Sequence, residues 1–585
     1  MDARKAGDVL ERDACRRSIH ERMMQCFAGT CNLVQRHSGG PRGLAKLDVT
    51  VVVRNRMLTR ACGVRNHLQH RDAMHCTRQL PKAMGGHGYS GCGRATHEVR
   101  SPARAVHAMS TRRTLFKGAT ILPMDGSSDL PSGDLLVEGD RIAAIAPSLE
   151  IDGTEVIDAS GMVLCPGFVD THRHTWQTPL HGVRTDWNLL DYMTYIRGMY
   201  CVCYEPEDAG LANWVGAIEA LDSGITTLVD HSHLQLSESH SDALAEGIIK
   251  SGIRGIYCYG TYRNLAYRPG DDPGNLPRLL SEVNSPLSEW HKRNATRIRD
   301  TYFSDDSARV RFGIASREFE TLPEAASMLE EVRWSRTLNP ARISIHMGMS
   351  AREPLKVVRE LHDAGEIGPD LLFVHGNHLP DEELQMIIDG GASLSSAIEI
   401  EMTYGAFPAV ERFTALGGQS SIGIDATIDL AADMFGQMRA LLNVWRLERS
   451  LKDPLTMTRK VHQKKVLEIA TIGGAESIGL GDVTGSLTVG KKADLLLLKT
   501  DVLGLAPMWD PYAAVVNYGN PALVDTVMVD GRIVKRHGTL VDIDWPAVRA
   551  RLERSRADIR RRFSLIPEQP IRERWTQGFR INIAG

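Results

Sequence analysis

The sequence predicts an α/β protein: a (β/α)₈ barrel of the TIM type with a discontinuous β-sandwich built from both flanks of the barrel. Apolar strand candidates alternate with amphipathic helices through residues 167–480, which is the pattern of parallel strands joined by helices. Stretches of short strands without long helices lie on both sides, at 111–166 and 481–544. Polar side chains stand at the ends of several central strands, where barrels of this class carry their active sites.

Eight strand candidates can be counted in and just before the central region, the number that closes such a barrel. Helices are predicted between or after them at Glu353–Ala364, Asp381–Asp389 and Asp433–Arg449. The strand candidates are Val163–His174, Gly224–His233, Ile253–Tyr262, Ala308–Ser316, Ala341–Met347, Leu371–Gly376, Ala392–Ile398 and Ser420–Ala426.

The two flanking stretches have the same sequence pattern. Alternating Leu, Val and Ile with Gly-Asp turns, as at Gly139-Asp140, predicts antiparallel strands in 111–166. The pattern returns at Gly485–Asp501 and Val524–Asp544. We therefore expect one sheet domain that the barrel interrupts.

Both ends of the chain differ from its middle. Residues 1–110 contain 19 Lys and Arg against 8 Asp and Glu, and six of the ten cysteines, which predicts a basic and poorly ordered extension. Within this extension, Ala83–Gly91 weakly resembles a segment of acyl-CoA oxidases, over fewer than ten residues and without a flavin fold around it. Residues 545–585 are predicted to be an Arg-rich helical tail, either a solvated surface or the edge of a homodimer.

The composition is that of an ordinary globular protein, with 42% hydrophobic and 24% charged residues. No apolar run reaches the roughly 18 residues of a membrane span and no secretory signal opens the chain, so we expect a cytoplasmic protein without a membrane partner. Ten cysteines without a Cys-x-x-Cys pair are typical of free thiols in a reducing compartment. The basic N-terminal stretch leaves nucleic-acid binding only as a minor alternative.

Five polar residues at strand ends form the candidate site. Barrel geometry brings the ends of the first, fifth, sixth and eighth strands together over one mouth. Histidines with a carboxylate suit one divalent metal ion, zinc first and iron second, with a position left for water. The residues are His172 and His174 on the first strand, His346 on the fifth, His375 on the sixth and Asp425 on the eighth.

The order of these motifs resembles the amidohydrolase superfamily, in particular its cytosine deaminase and atrazine chlorohydrolase branch. The likeness spans about Thr111–Asp544 and includes the entry PGFVDTHRH, the run VHGNHLPDEEL, the strand-8 Asp and the exit GLGDVTGSLTVGKKADLLLL. It implies that His375 contacts the attacking water or the developing oxyanion, and that Asp425 passes the water proton to the leaving group. The metal ligands that it implies are His172, His174, His346 and Asp425.

The lysines indicate how many ions the site holds. Binuclear relatives bridge two ions through a carboxylated lysine at the end of the fourth strand. Between Gly167 and Asp425 the lysines are Lys250, Lys292 and Lys356, and none of them lies on a strand candidate. A mononuclear site is therefore expected.

One position departs from the deaminase pattern. Deaminases of this branch usually carry a Glu three residues after the strand-5 His, where it protonates a ring nitrogen of the substrate. Here the segment is His346-Met-Gly-Met349, and a thioether cannot transfer a proton. Either another group supplies the proton, with Glu318, Glu399 and Glu401 as nearby carboxylates, or the substrate needs no ring protonation.

Side chains of the loops at the mouth are expected to select the substrate. Trp176 could stack on a planar ring and Gln177 could form a hydrogen bond with it. The full set of substrate-binding candidates is Trp176, Gln177, His231, His233, Arg317 and Glu399.

The leading hypothesis is a mononuclear metal-dependent hydrolase acting on a non-peptide C–N bond of a small cyclic or heteroaromatic substrate, by deamination or by amide or amidine hydrolysis. Hydrolytic dechlorination or a metal-dependent lyase reaction on the same scaffold is the alternative that Met349 favours. A non-catalytic scaffold is a third hypothesis, which the retained His/His/His/Asp set argues against.

Overall fold

The computed structural model describes residues 112–583, apart from 184–185, 262, 265–266, 268–271, 273–280, 282–284, 319–324, 350–356 and 453–460. The predicted N-terminal extension, with its acyl-CoA oxidase-like run, lies outside the described residues. Within them the framework is an eight-stranded parallel sheet and a nine-stranded mixed sheet.

The strands follow one another in two groups, with five of the mixed sheet before the barrel strands and four after them. In chain order they are β1 (Arg113–Ile121), β2 (Leu130–Glu138), β3 (Arg141–Ala146), β4 (Glu155–Asp158), β5 (Met162–Pro166), β6 (Phe168–Arg173), β7 (Ile225–Ser232), β8 (Arg254–Gly260), β9 (Val310–Ala315), β10 (Ile343–Met347), β11 (Leu371–His375), β12 (Ser393–Ser396), β13 (Ser420–Ile422), β14 (Leu495–Lys499), β15 (Val524–Val529), β16 (Arg532–Arg536) and β17 (Thr539–Leu540).

The parallel sheet is the predicted barrel. Strands β6 to β13 pair side by side in chain order. A parallel bridge between Arg173 and Asp425 joins the last strand to the first, so the ring is nearly closed. Apolar side chains such as Val169, Val229 and Leu372 fill the barrel, as the fold requires. The prediction of an eight-stranded barrel is confirmed.

The mixed sheet takes strands from both flanks of the barrel, in the order β17-β16-β15-β14-β5-β1-β2-β3, with β4 paired to β1. The two flanks meet where β5 and β14 run antiparallel, with Leu495 opposite Pro166 and Lys499 opposite Met162. This confirms the predicted discontinuous sheet domain. The domain boundaries at 111–166, 167–480, 481–544 and 545–585 stay predictions.

The strand predicted at Val163–His174 is two strands in different sheets. β5 ends at Pro166 in the mixed sheet, and β6 begins at Phe168 in the barrel. Gly167 makes the turn between them, and a Cβ at this position would lie 2.1 Å from the Thr226 hydroxyl oxygen. The Pro-Gly corner therefore marks a change of sheet, which strand periodicity alone does not reveal.

The C-terminal tail is helical but not fully solvated. Its first helix runs from Trp545 to Phe563, and the Phe563 ring stacks on Tyr200 with centroids 4.0 Å apart. Arg562 donates a hydrogen bond to the Cys203 carbonyl at 2.6 Å. The expectation of a solvated helix thus holds only for its outer face, because the inner face packs on the segment that follows β6.

Helices connect the barrel strands and also form the C-terminal tail. They span Thr175–Leu180, Leu189–Tyr192, Met193–Tyr200, Cys201–Cys203, Pro206–Asp222, Glu238–Ser251, Glu289–Tyr302, Ala325–Arg336, Val357–Asp363, Asp381–Asp389, Ile398–Thr403, Val410–Ala415, Met434–Lys452, Gln463–Glu468, Ile469–Gly473, Gly474–Ser477, Pro511–Ala513, Ala514–Tyr518, Pro521–Leu523, Trp545–Phe563 and Glu568–Ile583. Among the described helices, none has the length and hydrophobicity that crossing a membrane requires.

Candidate metal centre

Four side chains from three strand ends meet at the mouth of the barrel. His174 Nε2 lies 2.9 Å from Asp425 Oδ1, and His172 Nε2 lies 3.5 Å from the same oxygen. His346 Nε2 lies 3.1 Å from His172 Nε2. The structure therefore brings together the four residues that were predicted as metal ligands.

Hydrogen bonds at the second ring nitrogen fix which atom faces the centre. His174 Nδ1 lies 3.0 Å from the His231 carbonyl, and His346 Nδ1 lies 3.2 Å from the Glu318 carboxylate. Both partners only accept hydrogen bonds, so Nδ1 carries the proton in each ring and Nε2 presents a lone pair. A backbone carbonyl or a carboxylate behind a histidine is the usual support of a metal ligand.

Three of the distances among these side chains lie near the ligand spacing of one tetrahedral ion. With Zn–N and Zn–O bonds of about 2.0–2.2 Å, two ligands of a tetrahedral site stand about 3.3–3.6 Å apart. The measured separations of 2.9, 3.1 and 3.5 Å lie near that edge length. The ligand atoms of His172, His174 and Asp425 all lie within 4.8 Å of one another, whereas His346 shares such a group with His172 but not with His174 and Asp425. The first three thus suit one zinc-sized ion, and His346 stands beside them through His172.

The protonation states suit metal binding. Burial lowers the pKa of His172 to about 4 and lowers the pKa values of His174 and His346 as well, so all three rings are neutral near pH 7. Burial acts to raise the pKa of Asp425, but its interactions with His172 and His174 outweigh burial and hold that pKa well below its usual value. The site therefore offers neutral imidazoles and an ionised carboxylate.

Backbone strain marks the same strand ends. Asp425 has a φ of +66° and His375 a φ of +81°, in the left-handed region that residues other than glycine rarely adopt. Asp425 is held there by two backbone hydrogen bonds, from its N–H to the His172 carbonyl at 2.8 Å and from the His174 N–H to its own carbonyl at 3.1 Å. Strained residues of this kind often occur at functional sites.

His375 is oriented by a buried carboxylate. Its Nδ1 donates to Glu401 at 3.1 Å, and its Nε2 lies 3.9 Å from Asp425 Oδ2. Glu401 also accepts hydrogen bonds from the Ala397 N–H at 2.7 Å and from Asn377 at 3.0 Å. The ring therefore directs Nε2 toward the metal centre, beside but not within the ligand group.

The histidine pair on β7 lies against this group. The His231 ring stacks on His346 with centroids 4.2 Å apart, and its Nδ1 lies 3.0 Å from Ser344 Oγ. His233 Nδ1 accepts a hydrogen bond from the Trp176 indole at 3.0 Å. Because an indole N–H only donates, neutral His233 carries its proton on Nε2 and is a poor metal ligand.

Two further groups of donors have ligand atoms within 4.8 Å of one another, His172–His231–His346 and His233–Glu318–His346. The second depends on His233, whose Nδ1 is occupied by Trp176 and whose Nε2 carries the proton. The first lacks a carboxylate. The group of His172, His174 and Asp425, with His346 beside His172, is therefore the best metal site of the described residues.

The remaining substrate candidates are placed differently. Trp176 is fully buried and packs edge-on against Tyr204, with ring centroids 5.3 Å apart, in addition to its bond with His233. Gln177, also fully buried, donates to the Tyr192 hydroxyl at 2.8 Å. Both lie directly after the first histidine pair, beneath the helix that carries Tyr192.

Two charged candidates have partners away from the histidines. Arg317 forms an ion pair with Glu331 and donates to the Ser285 carbonyl at 2.6 Å. Glu399 accepts a hydrogen bond from Gln437 at 3.0 Å. The structure thus does not bring Arg317 or Glu399 to the metal centre.

Glu318, one of the three carboxylates considered as proton donors in place of Met349, is a neighbour of the histidines. Glu318 contacts His346 and accepts a hydrogen bond from Arg197 at 3.2 Å. Burial acts to raise the pKa of Glu318, but these two partners hold that pKa at about 2. Glu318 is therefore ionised near pH 7, and its contacts with His346 and Arg197 give it a supporting role beside the histidines.

Sequence reasoning missed Arg197 and Tyr192. Both lie on short helices between β6 and β7, in a segment without a strand end or a motif. Tyr192 accepts a hydrogen bond from Gln177, and Arg197 donates to Glu318. The sequence carries no signal for either contact, because each depends on how the loop returns over the mouth.

Comparisons with known proteins agree with this geometry. The model of the family described as "Amidohydrolase family" matches residues 163–534. The chain is 28% identical over 455 residues to 5'-deoxyadenosine deaminase of Methanobrevibacter smithii, covering 74% of this chain and 95% of the relative. It is 26% identical over 463 residues to 5-methylthioadenosine/S-adenosylhomocysteine deaminase of Desulforudis audaxviator, covering 76% and 98%.

Solved structures share the fold. A zinc-bound adenosine deaminase from Xanthomonas campestris superposes with a TM-score of 0.66 at 19% identity, over 77% of this chain and 99% of that one. Atrazine chlorohydrolase from Arthrobacter aurescens TC1 complexed with zinc gives a TM-score of 0.64 at 19% identity, over 76% and 100%.

The expectation of a hydrolase for non-peptide C–N bonds is confirmed by the family match and the named relatives. The His/Asp cluster is compatible with the expected single metal site. A small-molecule substrate is likewise consistent with the named relatives. The family model matches well over half of the sequence and includes all five residues of the site. The chain belongs to the amidohydrolase family.

Proposed function

We propose that this protein removes an amino group by hydrolysis from a small heteroaromatic substrate, at a single zinc ion held by His172, His174, His346 and Asp425. The observation that carries the proposal is the grouping of His172, His174 and Asp425, with His346 3.1 Å from His172, at separations near the ligand spacing of a tetrahedral ion. The relatives named as adenosine-type deaminases make an aminopurine nucleoside the first substrate class to test.

The ion would supply Lewis acidity, which lowers the pKa of water and makes the substrate carbon more electrophilic. The chain's own residues would move the protons. Asp425 is ionised, and its second oxygen Oδ2 lies on the side of His375, so it can accept the proton of the attacking water. The same carboxyl can then return that proton to the leaving nitrogen.

His375 would stabilise the negative charge that develops on the attacked centre. Glu401 holds Nδ1–H, so Nε2 is the atom that faces the reacting groups. A ring protonated on Nε2 donates a hydrogen bond to an oxyanion, and the Glu401 carboxylate compensates the positive charge of that ring. This is the arrangement of a carboxylate-supported catalytic histidine.

Substrate contacts would come from the first two strand ends. Neutral His233 presents an N–H at Nε2, because Trp176 occupies its other nitrogen. Gln177, whose Oε1 has no hydrogen-bond partner among the described residues, offers an acceptor in the same buried region. The His233 N–H would donate to a ring nitrogen of the substrate, and Gln177 Oε1 would accept from its exocyclic amino group.

Met349 supports a second candidate function. It is half-buried against the barrel core and leaves no proton donor at the position where related deaminases have one. A substrate with a good leaving group, such as a chlorinated heteroaromatic ring, needs less protonation. Hydrolytic dechlorination is therefore the alternative, and it uses the same metal ligands.

The test is a screen of the purified, zinc-loaded protein for release of ammonia from aminopurines, aminopyrimidines, pterins and aminotriazines, with chloride release from chlorotriazines measured in parallel. We expect ammonia from at least one amino substrate, and its release should be slower by roughly 10²–10⁴-fold with Asp425→Asn. Chloride release alone would replace deamination by dechlorination. Equal ammonia release by Asp425→Asn would contradict the proposed role of Asp425.

A further inference from the structure

An unbroken chain of contacts links the segment that follows β6 to a metal ligand. Arg197 Nη1 donates to Glu318 Oε1 at 3.2 Å, and Glu318 Oε2 accepts from His346 Nδ1, also at 3.2 Å. The Arg197 side chain is only 5% exposed and that of Glu318 is 19% exposed. A charge pair this far from solvent is held firmly, because removing one partner leaves the other desolvated and uncompensated.

Arg197 is also tied to the end of β7. Its Nε donates to Asn264 Oδ1 at 3.2 Å, and Asn264 Nδ2 donates to the His233 carbonyl at 2.8 Å. The guanidinium therefore bridges the ends of two barrel strands. The planar guanidinium donates to Glu318 and to Asn264 in fixed directions, which a lysine ammonium cannot do as well.

The helix that carries Arg197, Met193–Tyr200, is π-helical, a form that often occurs at functional sites. Its Tyr195 ring stacks on Trp187 with centroids 4.7 Å apart. The helix is anchored to the tail by stacking of Tyr200 on Phe563. Leu189–Cys203, which we name the mouth segment, is thus held by stacked aromatic rings, and its Arg197 reaches Glu318.

We propose that Arg197 and Glu318 form a positioning pair that makes metal binding depend on the placement of the mouth segment. Glu318 holds the His346 ring with Nε2 toward the metal, and Arg197 holds Glu318 in place. In this arrangement the pair acts on the ion through His346. The proposal rests on the proposed ligand set, because it needs His346 to bind the ion.

A reciprocal effect follows from this coupling. If a correctly placed mouth segment favours metal binding, metal binding must favour that placement by the same free energy. Zinc should therefore slow amide hydrogen exchange in Leu189–Cys203. The slowing should be lost when the carboxylate of Glu318 is replaced by an amide.

The first experiment measures the zinc dissociation constant by competition with a chelator. For Glu318→Gln we expect zinc binding weaker by roughly 10–100-fold, the usual effect of removing the hydrogen-bonded support of a metal ligand. Arg197→Gln should weaken it less, and Arg197→Lys should recover part of that loss. Glu366→Gln is the matched control, because Glu366 is also a largely buried carboxylate held by arginines but lies outside the site.

A spectroscopic readout separates positioning from general loss of structure. Cobalt(II) in place of zinc reports ligand geometry by its visible absorption. At saturating cobalt, Glu318→Gln should show an altered band, whereas Glu366→Gln should match the unmodified protein. If Glu318→Gln fails to fold, Glu318→Asp keeps the charge and should give an intermediate dissociation constant.

A parallel measurement on His346→Gln tests the ligand set separately from the positioning pair. Zinc binding that is lost in His346→Gln but unchanged in Glu318→Gln would overturn the positioning pair and leave the ligand set intact. Unchanged binding in both variants would overturn the ligand set and the pair with it. Equal effects of Glu318→Gln and Glu366→Gln would also overturn the pair, since a nonspecific loss of charge would then explain the result.

Discussion

The two halves of the metal centre are held by different means. On one side, His172, His174 and Asp425 stand on β6 and directly after β13, and backbone hydrogen bonds of 2.8 and 3.1 Å join these strand ends. On the other side, His346 is held by the side chain of Glu318, which in turn is held by Arg197 from a separate helix. The first half depends on barrel closure and the second on long-range side-chain contacts.

This difference shows which part of the site is rigid and which part can respond to the rest of the molecule. Backbone pairing between strands costs little side-chain entropy and stays in place as long as the barrel is folded. A side-chain relay stays in place only while its most distant member is correctly packed. We therefore expect changes in the first half to affect folding and chemistry together, and changes in the second to affect mainly metal affinity.

The largest effect is expected from Asp425→Asn. The amide keeps the shape of the side chain but cannot accept the water proton, so turnover should fall by roughly 10²–10⁴-fold, the usual loss for a general acid or base. Steady-state kinetics at saturating zinc measures this. Asp381→Asn, at an exposed carboxylate paired with Arg412, is the control and should leave turnover unchanged. Similar losses in both variants would contradict the role assigned to Asp425.

The next comparison is of zinc content after substitution of the two stacked histidines, His346 and His231. His346→Gln should reduce bound zinc far below one ion per chain, because a ligand is lost. His231→Gln should retain about one ion per chain, since His231 stacks on the ligand ring and lies outside the proposed ligand set. Metal analysis by mass spectrometry after dialysis measures both. A greater loss of zinc in His231→Gln than in His346→Gln would indicate that the ion binds closer to β7.

Barrel closure is tested at Gly423. A Cβ there would lie 2.6 Å from the backbone N and O of His172, and backbone atoms cannot move aside cheaply. Gly423→Ala should lower the free energy of unfolding by about 1–3 kcal/mol, as overpacking usually does. Chemical denaturation measures the change.

Gly436→Ala is the matched control for barrel closure. A Cβ at that position would meet the flexible Glu399 carboxylate, 3.0 Å away. The substitution should therefore cost much less than Gly423→Ala. Equal costs would show that β6 and the β13 end are not joined as tightly as the structure indicates.

The smallest effect is expected in the tail. The Trp575 indole donates to the Tyr267 hydroxyl at 3.0 Å, and Tyr267 N–H in turn donates to the Gly198 carbonyl of the mouth segment at 3.1 Å. Trp575→Phe removes one hydrogen bond, about 1 kcal/mol. Hydrogen exchange should quicken in the mouth segment and not in β6. Uniform quickening across the barrel would contradict a local role of the tail.

Much of the fold and the residues of the metal centre could be predicted from sequence. Strands that alternate with helices specify a barrel, and barrel geometry brings the ends of β6, β10, β11 and β13 together without further information. His172 and His174 followed from their position at the end of an apolar strand. These predictions depend only on local pattern and on the symmetry of the fold.

The supporting contacts could not be predicted, because they depend on loop geometry. Glu318 and Glu401 were visible as carboxylates after strands, but their pairing with His346 and His375 requires the loop conformations. Arg197 carried no signal at all. Arg317, in contrast, stood at a strand end like a site residue, yet its charge is compensated by Glu331 on a neighbouring helix.

The central claim is that one ion binds between three histidines and Asp425, and a crystal structure of the zinc-loaded protein with anomalous data tests it most directly. We expect one anomalous peak within about 2.0–2.2 Å of Nε2 of His172, His174 and His346 and of a carboxylate oxygen of Asp425. A peak coordinated by His231 or His233 instead, or two peaks of equal height in the barrel mouth, would contradict it.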